Sequence, residues 1–134
     1  MLISIDHIVI TASNLNKTID FYTTVLGMQL KKELVEEDNS LRYSLHFGVQ
    51  KINLHAKNNI FKPHAKFIKP GTLDICFISK KNILYWINKL NNMNIKIKEG
   101  PVERSGAKSK LSSIYFNDPD GNLIEISNII NKND

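Results

Sequence analysis

The chain has 134 residues, 42% of them hydrophobic and 23% charged, the balance of an ordinary soluble globular domain. Its formal net charge of +5 does not amount to a nucleic-acid-binding stripe, because the lysines are scattered and interleaved with acids, as in Lys31-Lys32-Glu33 and Lys98-Glu99. No apolar run reaches the length of a membrane span, and the first residues lack the basic flank and apolar core of a signal peptide.

Cys76 is the single cysteine, so no intrachain disulfide forms and a reducing, cytoplasmic setting is expected. Ile3 to Thr11 alternates as a strand does. Ser13 and Asn14 offer N-cap oxygens for a helix running to about Leu26, with Ile19, Tyr22, Val25 and Leu26 on one face. Gly27 then suits a left-handed C-cap. Strands follow over 28–35, 41–47 and 51–55, separated by the polar turn 36–40 and by Gly48-Val49-Gln50. From Ala56 to Gly71 the periodicity dissolves into a connector.

The second half repeats the order. Leu73 to Ile78 reads as a strand. Ser79 caps a helix through about Asn92, with Ile83, Trp86, Ile87 and Leu90 toward the core. Ile95 to Glu99 is the next strand, and 100–110 is a Gly-, Ser- and Lys-rich loop. Strands 111–116 and 123–127 pair across Asn117-Asp118-Pro119-Asp120-Gly121-Asn122, a turn that fixes their register. Residues 131–134 are expected to fray.

Ile5-Asp6-His7-Ile8-Val9 and Thr72-Leu73-Asp74-Ile75-Cys76 thus look like one strand written twice. Ser44-Leu45-His46-Phe47 with Ile52-Asn53-Leu54 matches Ser113-Ile114-Tyr115-Phe116 with Ile124-Glu125-Ile126. The repeat makes His7 equivalent to Asp74 and Asn53 equivalent to Glu125. The expected fold is α+β: two βαβββ modules, about 1–56 and 72–130 with connector 57–71. They form one domain, a half-open curved sheet around a cavity with the helices outside.

The helix motif Thr18-Ile19-Asp20-Phe21-Tyr22 through Leu26-Gly27-Met28 sharpens this reading. So does Tyr115-Phe116-Asn117-Asp118-Pro119-Asp120-Gly121-Asn122-Leu123-Ile124-Glu125-Ile126. With Ile5-Asp6-His7-Ile8-Val9, these stretches resemble the vicinal oxygen chelate superfamily, which includes glyoxalase I, fosfomycin-resistance thiol transferases, extradiol dioxygenases and bleomycin-binding proteins. The resemblance covers nearly the whole chain.

The resemblance implies a divalent metal held by His7, Asp74 and Glu125, with Asn53 as a further ligand or pocket residue. His55, two residues on and so on the same face, is its rival. Glu125 would also be the catalytic base. Relatives in this family generally carry His at the position of Asp74, and many glyoxalases carry Glu at that of Asn53. The more oxygen-rich set here favours Mn²⁺, Fe²⁺ or Mg²⁺, with Ni²⁺ and Zn²⁺ kept in play by His7.

The function so implied is a metal-dependent, glyoxalase-like lyase or related transferase on a small oxygenated molecule, working as a homodimer without nucleic-acid or membrane partners. The alternatives are a metal-free drug-binding protein of the bleomycin-resistance kind and a module with no catalysis. Arg104, on the expected loop, and Tyr115 are candidate substrate contacts, and the mildly basic surface favours an anion weakly. His46 and His64 are expected at a surface or pocket rim. Cys76 is expected to be a small buried thiol.

Overall fold

A computed structural model describes residues 1–131. The chain divides between Thr72 and Leu73 into two compact units. The first contains β1 (His7–Ala12), α1 (Leu15–Asp20), β2 (Gln29–Val35), β3 (Ser40–Phe47) and β4 (Gln50–Ala56), with α1 running on into a π-helical turn, Phe21–Val25. Its sheet has the order β1-β4-β3-β2, with β1 parallel to β4 and the other pairs antiparallel.

Alternation sorts this sheet into two faces. Ile10, Ala12, Leu45, Ile52 and Leu54 are buried, as are Phe21, Tyr22 and Val25 of the helical segment. The helix lies against β4. Asn14 starts it by accepting a hydrogen bond from the Lys17 amide at 3.0 Å, and Gly27 ends it at φ +77°, a left-handed conformation that costs glycine least. Thr18 carries a buried hydroxyl without a hydrogen-bond partner among the described residues.

The second unit contains β5 (Asp74–Ile78), α2 (Ile83–Asn92), β6 (Glu99–Ser105), β7 (Lys110–Asn117) and β8 (Leu123–Ile129). Its sheet order, β5-β8-β7-β6, repeats the first: β5 is parallel to β8 and the rest are antiparallel. Ile114, Phe116, Ile124 and Ile126 form the apolar face, and α2 packs on β7 and β8 through a side that includes buried Ile83 and Leu90. The α+β class and the twofold β-α-β-β-β order expected from the repeat are what the structure shows, each module an open four-stranded sheet.

Four local expectations are corrected. Strand β1 begins at His7, not Ile3, and Met1, Leu2 and Ile3 are fully exposed, because no neighbouring strand continues the ladder there. Asn82, not Ser79, caps α2, accepting from the Leu84 amide at 2.8 Å; Ser79 instead accepts from the Lys81 amide and the Trp86 indole.

Strand β6 runs over 99–105, where a loop was expected, and 95–98 lies outside it. A register shift between Glu99 and Val102 admits Gly100 at φ +110°, and a Cβ there would collide with the Ser113 carbonyl oxygen. The glycine that reads as a loop marker is a close-approach point inside the sheet. Cys76 is exposed, not buried, since β5 is an edge strand and the thiol sits on its polar side. The expected fraying falls mostly on 132–134, outside the described residues.

The 117–122 turn behaves as its composition suggests. Buried Asp118 accepts from the amides of Asp120 and Asn122 at 2.9 Å and from the Asn122 side chain at 2.7 Å. The Asn122 side-chain oxygen Oδ1 in turn accepts from the Leu73 amide at 2.9 Å, tying the start of β5 to the β7–β8 turn.

Candidate functional site

In the second unit, strand register sets Cys76 beside Glu125 and Glu125 beside Tyr115, in one row across three strands. Ser127 pairs with Ser113 one step along the same face. Glu125 is half-buried, and Ser127 donates to its Oε2 at 3.2 Å. The Ser127 hydroxyl also meets Ser113 Oγ at 2.6 Å and Cys76 Sγ at 3.2 Å.

From the other side, Arg104 Nε donates to the Tyr115 hydroxyl at 3.0 Å, while its NH2 pairs with Glu99 at 3.1 Å. Burial raises the Tyr115 pKa; Arg104 opposes this, and hydrogen bonding to Glu125 adds to it. The phenol is therefore protonated at neutral pH and stands beside Glu125 across the β7–β8 ladder. Among the described residues Glu125 has no ion pair. Arg104 lies on strand β6 with its guanidinium occupied by Tyr115 and Glu99. The Cys76 pKa is raised by partial burial, with Ser127 opposing and the Glu125 and Asp74 carboxylates adding, so its thiol stays protonated.

In the first unit, β1 and β4 are joined so that His7 stands opposite Lys51, Val9 opposite Asn53 and Thr11 opposite His55. His7, Asn53 and His55 therefore share the face away from the helix. Asp6 Oδ2 lies 2.8 Å from His7 Nδ1, and this hydrogen bond is the main cause that lowers the Asp6 pKa. An imidazole held through Nδ1 leaves Nε2 available as a ligand or base. Asn53 and His55 line a recess of about 290 Å³ that also includes Arg42, Lys51 and Phe61. His46, next to it, bonds Ser44 Oγ at 2.9 Å.

Within either unit, no three His, Cys, Asp or Glu side chains among the described residues form a ligand cluster. His7 belongs to the first unit and Asp74 and Glu125 to the second, where Asp74 is exposed at the start of β5. Sequence reasoning missed the hydroxyls of Ser113 and Ser127 and the charges of Arg42 and Lys51. The serines could have been found from alternation, as polar residues in step with Tyr115 and Glu125. Lys51 could have been found as the residue two before Asn53.

Residues 4–126 match the family model for the glyoxalase/bleomycin resistance protein/dioxygenase superfamily, and the chain belongs to that superfamily. It is 45% identical over 126 residues to virulence protein STM3117 of Salmonella typhimurium, an alignment that covers 94% of this chain and 84% of that one. The crystal structure of that protein superposes with a TM-score of 0.89 at 44% identity, covering 97% and 99% of the two chains. The glyoxalase domain-containing protein RDO1 of Mycosarcoma maydis is 46% identical over 92% of this chain and 67% of its own. The metallothiol transferase FosB of Staphylococcus haemolyticus is 32% identical over 94% of this chain and 84% of its own. No helix among the described residues is long and apolar enough to cross a membrane.

Proposed function

We propose that this chain is a metal-dependent enzyme of the glyoxalase type, a lyase or transferase acting on a small oxygenated molecule. The observation that carries the reading is Glu125, a half-buried carboxylate steadied by Ser127 and left without an ion pair among the described residues. A partly desolvated carboxylate in that state calls for a cation.

The donor chemistry fits a divalent metal. His7 has its Nδ1 occupied by Asp6 and its Nε2 to offer, and Asp74 and Glu125 are oxygen donors suited to Mn²⁺, Fe²⁺ or Mg²⁺. Bound by these three residues, the ion would supply Lewis acidity toward two neighbouring oxygens of the substrate. The kinship with a protein named metallothiol transferase supports a metal.

Glu125 is the group to move a proton at the reacting carbon, through the oxygen that Ser127 leaves free. Tyr115, protonated and backed by Arg104, can donate its proton to a substrate oxygen beside Glu125. Dimeric assembly and a cytoplasmic location belong to the same proposal. Sedimentation showing only monomer at micromolar concentration would remove the dimer.

The test is metal analysis of protein purified without chelator or affinity metal and then exposed to Mn²⁺, Fe²⁺, Ni²⁺ or Zn²⁺. The native chain is expected to retain metal, and His7→Ala and Glu125→Gln to lose it. A native chain that retains none of the four would turn the reading toward small-molecule binding without turnover.

A further inference from the structure

Each unit carries one surface that the described chain leaves uncovered, and the two surfaces are opposite in charge. In the first unit the β2–β3 ladder runs out with Leu34 opposite Leu41, one rung before its end. Both share a face with Leu45, which is fully buried, yet they are 57% and 42% exposed. The turn 36–39 that closes this hairpin presents Glu36, Glu37 and Asp38 in a row. Arg42 binds Asp38 at 3.2 Å, whereas Glu36 and Glu37 are exposed and form no ion pair among the described residues.

In the second unit, α2 buries Ile83 and Leu90 and turns its other side outward. Helical spacing sets Leu84, Tyr85, Asn88 and Lys89 together on that outer side, with Lys81 just before the first turn. Leu84 is 62% exposed and Tyr85 42%. Two lysines bracket the phenol ring: Lys81 Nζ lies 5.0 Å and Lys89 Nζ 6.0 Å from its centroid. Neither lysine has an ion pair among the described residues. Between Asp74 and Glu99 the sequence places Lys80, Lys81, Lys89, Lys96 and Lys98 and no Asp or Glu at all.

The two surfaces match in kind. Each sets an exposed apolar pair beside charges that no described neighbour neutralises, and the charges differ in sign. Leucines at the end of a solvated ladder shed water only against another apolar surface. The net charge of +5 makes copies of the chain repel at long range, so only a contact that joins these two patches gains from charge.

We propose that the β2–β3 hairpin end of one copy docks on the outer face of α2 of a second copy. Leu34 and Leu41 then cover Leu84 and Tyr85, while Glu36 and Glu37 meet Lys81 and Lys89. The joined surfaces are unlike, so the contact is heterologous and copies add head to tail. Both patches are small, which makes the contact weak and concentration-dependent. The proposal goes beyond the metal-centred reading and does not rest on it, and a twofold dimer is a separate contact.

The experiment is sedimentation velocity on the full chain from micromolar to millimolar concentration. The native chain is expected to grow beyond its smallest species as concentration rises. Raising salt from about 0.01 M to about 0.15 M shortens the screening length from about 30 Å to about 8 Å and should weaken this growth severalfold.

Two double variants place like charges across the contact: Glu36→Lys with Glu37→Lys, and Lys81→Glu with Lys89→Glu. Each should raise the Kd by about tenfold or more. Mixed in equal amounts they again present opposite charges, and association is expected to return. Leu84→Ser keeps every charge and should also raise the Kd by about tenfold. Circular dichroism checks that each variant is folded. No growth of the native chain, growth that salt strengthens, growth unchanged in either double variant, or no recovery in the mixture overturns the proposal. His7, Asp74 and Glu125 are intact in every variant, so metal retention is expected to be unchanged, and failure of this contact leaves the metal-centred reading standing.

Discussion

The polar faces of the two sheets occupy equivalent places in the repeat and have diverged in chemistry. In the second unit the face is largely bonded to itself: Ser127 ties Glu125 to Ser113 and Cys76, and Arg104 ties Tyr115, the cross-strand neighbour of Glu125, to Glu99. In the first unit the face is open: Lys51, Asn53 and His55 point at a recess without bonding one another. A closed network fixes the position of one carboxylate, as chemistry on a bound substrate requires. Duplication supplied the scaffold twice, and each copy can be tuned without disturbing the buried side of its sheet.

The comparison is most sharply tested at Glu125. Glu125→Gln removes the charge and keeps the shape, and should weaken metal binding by more than the roughly 10–100-fold that loss of a supporting residue causes. Tyr115→Phe removes only the hydroxyl that Arg104 holds beside Glu125 and should weaken binding less, measured by competition with a metal-sensitive dye. Equal metal affinity in native protein and both variants would sever the network from function.

The turns give the next contrast. Asn122→Ala leaves Asp118 buried and takes away the partner of the Leu73 amide, and should cost about 2–3 kcal/mol in urea denaturation. Asp38→Ala, on the exposed turn between β2 and β3 of the first unit, should have clearly the smaller effect. A reversed order would mean that the buried turn does not anchor its sheet.

Titration should separate the units by sign. His46 and His55 have folded-state pKa values below the ordinary 6.5, so their neutral forms favour the fold. That stability is complete above pH 6.5 and is lost as pH falls through the folded values. Cys76 and Tyr115 have raised values, from 9.0 and 10.0, so their contribution is complete below pH 9 and lost as pH rises through the folded values. Hydrogen exchange corrected for intrinsic rate should show β3 and β4 opening first on acidification, and β7 and β8 first in alkali. His55→Gln should flatten the acid limb. The smallest effect is expected at Thr18→Val, which removes an unpartnered buried hydroxyl and should stabilise by about 1 kcal/mol.

Much of the fold was legible before any coordinates. The alternation in Ile5-Asp6-His7-Ile8-Val9 and in Leu123-Ile124-Glu125-Ile126 set which side chains face the core; β4 follows it, and β8 follows it as far as Ile126, where buried Ser127 interrupts it. The left-handed Gly27 and the 117–122 turn were readable because their chemistry is local. Strand β6 was not, since Gly100-Pro101 reads as a break and only a partner strand with a register shift makes it continuous. The exposure of Cys76 was hidden for a similar reason: edge position depends on strand order, which no single segment encodes.

By itself, then, the order of residues determined the repeated β-α-β-β-β plan and the facing of His7, Asn53, Asp74 and Glu125, because period-2 alternation is a property of each strand alone. Only the tertiary structure decided what stands beside those residues. Tyr115 stands opposite Glu125, Arg104 reaches Tyr115, and Phe61 reaches Arg42 and His55, through pairings and loop packing that join positions distant in the chain. Hydrogen-bond satisfaction and electrostatic environment depend on such neighbours, and neighbours across a sheet are chosen by register rather than by local sequence.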